Sequence, residues 1–403
     1  MKENKIVKLS DVCDLIPGFA FKSSEFGEHK VKAVKIGDIQ PPYVNFESMT
    51  GVDISKYSVS RLAKYKIVKG DFVLAMTGAT IGKIGRYIAD TGAYINQRVL
   101  KFKSHDEVNS DFIYYVVSSI SFQKYILNNV DSETAQPNIS AGSVGKYEFE
   151  LPSLEEQNRI ANILASIDNK IQLNRQINDN LEQQAQALYK SWFIDFEPFK
   201  DGEFVESEIG LIPEGWKVGT LSDLAEITMG QSPSGKSYNE CGEGILFYQG
   251  RAEFGDRYPS IRLYTTEPSR IAEQNSVLLS VRAPVGDTNI AYNKCCIGRG
   301  LASIKAKHGF NSFIFYMIKS MRDQFDMYNG EGTVFGSINR DSLNSLNVIV
   351  PTNNVINEFE KIVAPLDLKY KSLFAENLLL TQQRDTLLPK LMSGELKINE
   401  IDC

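Results

Sequence analysis

The sequence predicts an α+β fold, in which two similar, mixed and β-rich globules are joined by two long helices that form an antiparallel coiled coil. A pseudo-twofold internal repeat relates the two halves. Three observations predict this arrangement: a long heptad pattern lies in the middle of the chain, the same pattern returns near its C-terminal end, and the segments that precede the two patterns repeat short strings of each other. Apolar residues at alternating steps of three and four are typical of helices that pack against a partner helix.

The first long helix is predicted over Ser153–Phe196. Ser153 and Glu156 form a capping-box pattern, in which each side chain satisfies a free backbone N–H group at the helix start. Pro152 and Pro198 bound the segment, because proline inside a helix would break it. About forty residues make a helix of roughly 60 Å, which is too long and too narrowly apolar for one compact core. Its seam consists of Ile160, Leu164, Ile167, Ile171, Asn174, Asn178, Leu181, Ala185, Leu188 and Trp192.

The second long helix is predicted from Thr352–Asn354 to Gly394, where glycine favours a helix end. Adding 199 to each residue number of the first seam gives a second seam with the same spacing and no insertion. The alternative is two ordinary amphipathic helices in separate cores, but ordinary helices of globular proteins run only 8–20 residues. The second seam consists of Phe359, Val363, Leu366, Tyr370, Leu373, Asn377, Leu380, Arg384, Leu387 and Leu391.

Polar residues interrupt both seams, at Asn174 and Asn178 in the first helix and at Asn377 and Arg384 in the second. In an antiparallel pair the middle of one helix faces the middle of the other, so these polar groups can meet. Buried Asn typically costs stability and fixes the register of a coiled coil. We therefore expect the register of the helices to set the distance between the globules.

The rest of the chain divides around these helices. We expect a first globule over residues 1–150, the first long helix over 151–197, a linker over 198–215, a second globule over 216–350, the second long helix over 351–394 and a tail over 395–403. The globules repeat short strings, which pair Leu9–Asp11 with Leu221–Asp223, Lys69–Leu74 with Gln274–Leu279, Arg98 with Arg299, and Phe112–Tyr115 with Phe313–Tyr316.

Short β-rich runs and one helical stretch are predicted in each globule. The runs are Val31–Ile36, Phe72–Met76, Val99–Phe102, Val277–Val281 and Leu301–Ile304. The helical stretches are Ser110–Leu127 and Asn311–Met327.

Composition and charge limit the class of protein. The chain has 403 residues and a net charge of −6, but the charge is uneven. Residues 1–150 carry 19 Lys and Arg against 17 Asp and Glu, net +2; residues 216–350 carry 14 against 13, net +1; residues 151–215 carry 5 against 12, net −7. This asymmetry permits local basic faces on the globules without demonstrating them.

A cytoplasmic location is expected, without membrane contact. The N-terminus leads into no apolar segment of a signal peptide, and no apolar run approaches the 18 residues of a membrane span. The five cysteines form no CxxC pair and no even framework, which favours a reducing compartment.

Residues Gly230–Ser237 match the phosphate-binding pattern G-x-x-x-x-G-K-[ST] letter for letter. A phosphate-binding loop needs a helix that opens at the lysine, so that backbone N–H groups point at the phosphates. The residues that follow, Tyr238–Gly244, do not favour a helix, and the aligned loop Gly18–Ser23 lacks the pattern. The sequence therefore argues against nucleotide binding.

Two other patterns do not indicate catalysis by this chain. Gln40–Tyr43 resembles the Asp/Asn/Ser-Pro-Pro-Tyr loop of amino-methyltransferases, but Gln departs from that pattern and no glycine-rich loop for a methyl donor follows a first strand. A rigid surface turn is favoured. His29, His105 and His308 lie far apart with no metal-ligand spacing, so no metal site is predicted.

Several strings resemble the specificity subunit of type I restriction–modification enzymes. They are Ile16–Ser23, Lys35–Ile39, Leu151–Gln157, Lys190–Pro198, Ile209–Trp216 and Leu388–Glu395. The resemblance covers nearly the whole chain. It implies that the globules are target recognition domains 1 and 2, each reading one half of a bipartite site in double-stranded DNA, and that the coiled coil spaces them.

The resemblance also implies partners and the absence of an active site. Two modification (methyltransferase) subunits would dock on the helices and use S-adenosylmethionine to modify adenine. Restriction (translocase–nuclease) subunits would join them, with ATP and Mg²⁺. The chain itself would be non-catalytic and would bind no cofactor and no metal.

Recognition domains of this kind should contact phosphates through Lys and Arg, and bases through Arg, Lys, Asn and Gln. We select polar or basic residues in or beside glycine-bearing or repeat-matched loops; each could instead be a solvated surface residue or a structural ion pair. In the first domain they are Lys22, Ser23, Lys83, Gln97, Arg98 and Asn138, and in the second Ser234, Lys236, Arg251, Arg282 and Arg299. Two other hypotheses remain: a stand-alone enzyme, either a DNA methyltransferase or an NTPase, and a protein-only scaffold.

Overall fold

The structure is a computed structural model that describes residues 5–130, 137–330 and 336–396. The chain forms two compact units. The first unit contains Met1–Leu173 and Asn377–Cys403, and the second unit contains Asn174–Glu376. Each unit is described separately below.

The described residues of the first unit form three sheets. Its six-stranded sheet has the order Cys13–Pro17, Val99–Ser104, Phe72–Ala75, Ile84–Arg86, Tyr43–Val44 and Ile39–Gln40. Its four-stranded sheet has the order Thr50–Val52, Phe26–Val34, Ala93–Ile95 and Lys66–Ile67, and Lys5–Lys8 pairs with Glu148–Leu151. The helices are Leu9–Val12, Val59–Leu62, Ser110–Ser118, Ile120–Asn128 and Ala141–Gly145, with 3₁₀ turns at Ser23–Glu25, Ile36–Asp38, Ala63–Tyr65 and Gly78–Thr80.

The second unit repeats this plan with small changes. Its four-stranded sheet has the order Ala225–Met229, Leu301–Ala306, Val277–Ser280 and Thr288–Ile290. Its five-stranded sheet has the order Tyr238–Asn239, Leu263–Thr265, Ile245–Tyr248, Cys295–Ile297 and Ile271–Ala272. Phe204–Ser207 pairs with Gly210–Pro213, and Lys217–Thr220 pairs with Asn347–Val350. The helices are Leu221–Leu224, Asn311–Ser320, Arg322–Asp326 and Arg340–Asn344, with 3₁₀ turns at Glu197–Phe199, Gly235–Ser237, Arg251–Glu253 and Lys307–Gly309.

The predicted strands are present in both units. Four of them keep their starting residue, whereas the strand predicted at Val31 begins at Phe26. Each predicted helical stretch is wrong as a single helix, because two helices form instead. In the first unit Ser119 divides them: its N–H donates to the carbonyl of Val116, and its Oγ accepts from the N–H of Phe122 at 3.2 Å, which caps the second helix. In the second unit the division falls at Met321.

Backbone hydrogen bonds confirm the internal repeat. The Asp11 carboxylate accepts from the N–H of Lys8 at 2.9 Å, and the Asp223 carboxylate accepts from the N–H of Thr220 at 2.8 Å. The predicted alignment of Arg98 with Arg299 is wrong by one residue. The Met76 N–H donates to the carbonyl of Arg98, whereas the Val281 N–H donates to the carbonyl of Gly300. Arg98 therefore corresponds to Gly300, and Gln97 corresponds to Arg299.

The two long helices span Leu154–Phe193 and Asn353–Met392, and each contributes residues to both units. At the start of the first long helix, Ser153 Oγ accepts from the N–H of Glu156 at 3.3 Å, which is one half of the predicted capping box. The first helix ends three residues before the predicted end, since Phe196 has a left-handed φ of 53°. The second begins and ends as predicted, and Gly394 follows it with a φ of 67°.

In the first unit the long helices pack antiparallel. Arg384 contacts Asp168 at 3.0 Å, and the Asn377 side chain donates to the carbonyl of Ile171 at 3.4 Å. Residue numbers on one helix rise as those on the other fall.

The second unit has the same antiparallel geometry. The Asn174 amide donates to the Glu376 carboxylate at 2.9 Å, and the rings of Tyr189 and Phe193 lie 6.0 and 5.0 Å from that of Phe359. Every predicted seam position, including Ala185 and Arg384, is buried or half-buried.

A half-buried carboxylate attaches the short helices of each unit to a long helix. In the first unit Tyr115 donates to Asp168 at 2.8 Å, and Arg384 pairs with the same carboxylate. Burial and the Asp168 charge raise the pKa of Tyr115, so its hydroxyl remains a donor at neutral pH.

The second unit repeats this contact and adds a buried arginine. Tyr316 donates to Asp367 at 2.8 Å, and Arg257, whose side chain is 1% exposed, contacts the same carboxylate at 2.5 Å. The Arg257 guanidinium also lies 4.6 Å from the ring centres of Phe315 and Tyr370. Arg257 therefore connects the sheet region of the second unit to its helix pair.

We expect Asp367→Ala to destabilise the chain strongly, because it leaves the buried Arg257 charge without its nearest partner. The free energy of unfolding, measured by urea titration, should fall by about 3 kcal/mol or more. Asp385→Ala is the matched control, since Asp385 is 58% exposed in its ion pair with Arg384 and should cost less than about 1 kcal/mol. Equal effects of the two substitutions would contradict this role of Asp367.

Candidate nucleic-acid interface

One edge of the six-stranded sheet gathers several loops of the first unit. The Gly18 N–H donates to the carbonyl of Val99 at 2.8 Å, and the Gln97 N–H donates to the carbonyl of Phe19 at 2.8 Å. The loop that follows the first strand of the sheet is thereby joined to the turn before Val99. Two of the predicted segments, one with Lys22 and one with Gln97, share this edge.

The segment after the short strand Phe72–Ala75 reaches the same edge. Met76 donates its N–H to the carbonyl of Arg98 at 2.8 Å and accepts at its own carbonyl from Ile139 at 2.9 Å. Thr77 forms an antiparallel bridge with Asn138. The predicted Arg98 and Asn138 therefore lie on neighbouring segments.

The six residues predicted for the first unit are all exposed. Lys83 lies on the turn after Phe72–Ala75, where its carbonyl accepts from the Ala75 N–H at 3.0 Å. The structure brings together the segments that carry Lys22, Ser23, Lys83, Gln97, Arg98 and Asn138.

The second unit builds the corresponding edge with bonds that match those of Gly18 to Val99 and of the Phe19 N–H to the carbonyl of Ile95. The Gly230 N–H donates to the carbonyl of Leu301 at 2.9 Å, and the Gln231 N–H donates to that of Ile297 at 3.0 Å. Arg282 forms an antiparallel bridge with Ser337, as Thr77 does with Asn138. The five predicted residues of this unit are also exposed; they are Ser234, Lys236, Arg251, Arg282 and Arg299.

Arg251 differs from the other four in having a strong intramolecular partner. Its guanidinium contacts Asp287 at 2.5 Å, and Arg322 contacts the same carboxylate. Two cations therefore share one anion. Part of the Arg251 charge is already neutralised, so the prediction that it contacts DNA has less support than that for Arg299, whose N–H lies 3.4 Å from Ser232 Oγ.

Two glycines make these edges possible. A Cβ atom on Gly18 would lie 2.0 Å from the carbonyl oxygen of Asn96, and one on Gly230 would lie 2.1 Å from that of Gly298. Both distances are far below van der Waals contact. Only glycine lets the two segments approach closely enough for their hydrogen bonds.

The segment Gly230–Ser237 does not form a phosphate-binding loop. A 3₁₀ turn at Gly235–Ser237 is followed by the strand Tyr238–Asn239, and no helix opens at Lys236. Ser237 Oγ donates to the carbonyl of Ser234 at 2.7 Å. The loop therefore lacks the helix N-terminus that a phosphate-binding loop needs at the phosphates.

Gln40–Tyr43 forms a hairpin turn, as favoured above. Ile39–Gln40 pairs with Tyr43–Val44, and the Asn45 side chain donates to Gln40 Oε1 at 3.3 Å. Within the described ranges, no group of three His, Cys, Asp or Glu side chains could hold a metal ion. The helices of the described part of the chain include none that is long and apolar enough to cross a membrane.

The sequence analysis did not select the segment at Ser269 and Arg270, which also lies at the second edge. Ser269 Oγ donates to the carbonyl of Gln231, and the carbonyl of Arg270 accepts from the Ile297 N–H at 2.9 Å. The repeat could not reveal this segment, because the two copies differ in length there.

We expect Gly230→Ala to lower the free energy of unfolding by about 1–3 kcal/mol, because the new methyl group forces the loop away from Gly298. Gly235→Ala is the matched control in the same loop: nothing lies within 4 Å of its Cβ position, and the change should stay below about 0.5 kcal/mol. Urea titration of both variants measures the difference. A tolerated Gly230→Ala would show that the close approach is not required.

Known proteins are similar to this chain in sequence and in fold. The family model for the type I restriction modification DNA specificity domain matches residues 1–183 and 213–369. A putative type I restriction enzyme MjaX specificity subunit of Methanocaldococcus jannaschii is 36% identical over 300 residues, which cover 72% of this chain and 70% of the relative. The HindI specificity subunit of Haemophilus influenzae is 25% identical over 358 residues, 71% of this chain and 77% of the relative.

A solved structure has a similar fold. The S subunit of a type I restriction-modification system from M. genitalium aligns over 97% of both chains, with a TM-score of 0.59 and 16% sequence identity. The family match covers both units of the present chain, including the loops that form the two edges. The chain belongs to the family of type I restriction–modification DNA specificity domains.

Proposed function

We propose that this chain provides the DNA sequence specificity of a type I restriction–modification complex, with each unit reading one half of a bipartite site. One observation carries the proposal: the same hydrogen-bonded frame occurs twice and presents different polar side chains, all of them exposed except the buried Thr77. The corresponding positions are Thr77 and Arg282, Gln97 and Arg299, and Asn138 and Ser337.

The chemistry of these positions suits two different half-sites. Amide side chains such as those of Gln97 and Asn138 pair well with adenine, whereas guanidinium groups such as those of Arg282 and Arg299 pair well with guanine. Lys22 and Lys236, which lie in corresponding loops, are suited to phosphates. A duplicated frame with different side chains is therefore a plan for reading two sequences with one fold.

The family match favours this function over a stand-alone methyltransferase, an NTPase or a protein-only scaffold. In our proposal the chain binds no cofactor. Two modification subunits dock on it and use S-adenosylmethionine, and restriction subunits supply the ATP- and Mg²⁺-dependent steps. The duplicated architecture supports two modification subunits, because it provides two similar surfaces.

The experiment that tests the proposal exchanges residues 1–150 for those of another family member. Methylated sites are then mapped by sequencing DNA from cells that contain the chain and its modification subunits. We expect only one half of the recognised sequence to change, since the first unit carries its own frame and side chains. Binding of the complex to DNA should weaken steeply with salt, as phosphate contacts release counterions.

The reciprocal exchange of residues 216–350 is the matched control and should change only the other half. A change in both halves after either exchange would contradict independent reading. Detectable methyl transfer by the purified chain alone would contradict the assignment of catalysis to the modification subunits.

We also propose that the long helices set the length of the non-specific spacer between the half-sites. One heptad inserted between Leu173 and Asn174, together with one between Glu376 and Asn377, lengthens both helices and leaves the contacts within each unit intact. Each insertion adds about 10 Å. The spacer should grow by about three base pairs, at roughly 3.4 Å each, with both half-site sequences unchanged.

Mapping of methylated sites measures the spacer in this variant. A heptad inserted in one helix only is the control, and it should impair assembly because the two seams no longer match. An unchanged spacer in the doubly extended variant would mean that the helices do not set the distance.

A further inference from the structure

The two units differ most clearly in one connection. In the first unit residues 53–65 join the strand Thr50–Val52 to the strand Lys66–Ile67. In the second unit only residues 266–270 join the corresponding strands. The corresponding strands pair in the same way. Lys66–Ile67 runs antiparallel to Ala93–Ile95, and Ile271–Ala272 runs antiparallel to Cys295–Ile297. The extra residues belong to the first unit alone.

The longer connection has a defined structure. It contains the helix Val59–Leu62, which Ser58 caps by accepting from the Arg61 N–H at 3.3 Å. Leu62 is 1% exposed and anchors the helix in the unit. Arg61, one residue before it, is exposed.

Two aromatic rings hold the Arg61 guanidinium. It lies 5.6 Å from the ring centre of Phe19 and 5.5 Å from that of Tyr57. A guanidinium on aromatic faces is attracted by the ring quadrupole, and its planar set of donors loses less conformational freedom on binding. No Asp or Glu of the described residues forms an ion pair with it, so its charge remains available.

The same rings belong to the frame of the first edge. Phe19 is bonded through its carbonyl to the Gln97 N–H at 2.8 Å, and its ring lies 4.9 Å from that of Tyr57. Tyr57 donates to the buried Glu25 at 2.8 Å, and Glu25 accepts from the N–H of Lys22 at 2.9 Å. The rings that Arg61 contacts are thus connected to the two segments that carry the predicted Lys22 and Gln97.

We propose that Arg61 reads a base in the half-site recognised by the first unit, with its guanidinium donating to the acceptors of a guanine in the major groove. This rests on the function proposed above. A guanidinium that lies near aromatic rings and has no ion-pair partner among the described residues is suited to the O6 and N7 atoms of guanine, which accept two parallel hydrogen bonds. Arg61 lies on the helix Val59–Leu62, which the shorter connection of the second unit, residues 266–270, does not contain.

Arg61→Ala and Arg61→Lys test the proposal in the full chain assembled with its modification subunits. Methylated sites are mapped, and DNA binding is measured on the recognised site and on its single-base variants. Both substitutions should reduce the preference at one position of the first half-site by roughly tenfold or more. Arg61→Lys should fail as well, because lysine keeps the charge but lacks the planar pair of donors. The second half-site should not change.

Lys69→Ala is the matched control. It removes one positive charge from the first unit, but Lys69 is an exposed residue paired with Asp90 and precedes the strand whose other end reaches the edge. It should leave the recognised sequence unchanged. Thermal unfolding of all three variants should be close to that of the wild type, because the substituted side chains are exposed.

Two results would overturn the inference. One is an unchanged recognised sequence in both Arg61 variants. The other is a uniform loss of affinity in Arg61→Ala, with a shallower salt dependence and normal behaviour of Arg61→Lys, which would indicate a phosphate contact only. If exchange of residues 1–150 still changes the first half-site, only the role of Arg61 fails. If that exchange changes nothing, the proposed function itself fails.

Discussion

The structure depends on one half-buried carboxylate in each long helix. Asp168 accepts from Tyr115, and Asp367 accepts from Tyr316, in both cases at 2.8 Å and at corresponding positions of the repeat. A buried carboxylate is tolerated only when hydrogen bonds and a cation compensate for the lost water. Each unit provides that cation, and the tyrosine joins a short helix to the long helix.

The cation comes from a different element in each unit, and this has a structural consequence. In the first unit it is Arg384, from the partner helix, whereas in the second it is Arg257, from the sheet region. The carboxylate of the first unit therefore joins the two long helices, while that of the second joins a helix to the loop at Arg257, whose carbonyl accepts from the Ile290 N–H at 2.8 Å.

The sequence predicted those elements whose apolar residues repeat at a regular spacing. The long helices could be predicted because their seam repeats over about forty residues and prolines stand at their ends. The division at Ser119 was missed, since no glycine or proline marks it and a serine serves as the end of one helix and the cap of the next. Arg257 was missed for a different reason: its partners Glu182 and Asp367 are distant in sequence, and no local pattern connects them.

The sequence predicted the backbone frame of the candidate interface but not the side chains that select its ligand. Gly18 and Gly230 are visible in the sequence because a close approach of two backbones excludes every other residue. The side chains around them are not constrained in this way, and a solvated loop accepts many residues of similar size and polarity. Arg61 belongs to this unconstrained part: it lies where the copies differ in length, so alignment of the repeat passes over it. Those positions at which a duplicated fold differs are also the positions at which its two copies can acquire different ligands. The backbone frame can therefore be inferred from the repeat, whereas the residues that select the ligand have to be found from their contacts.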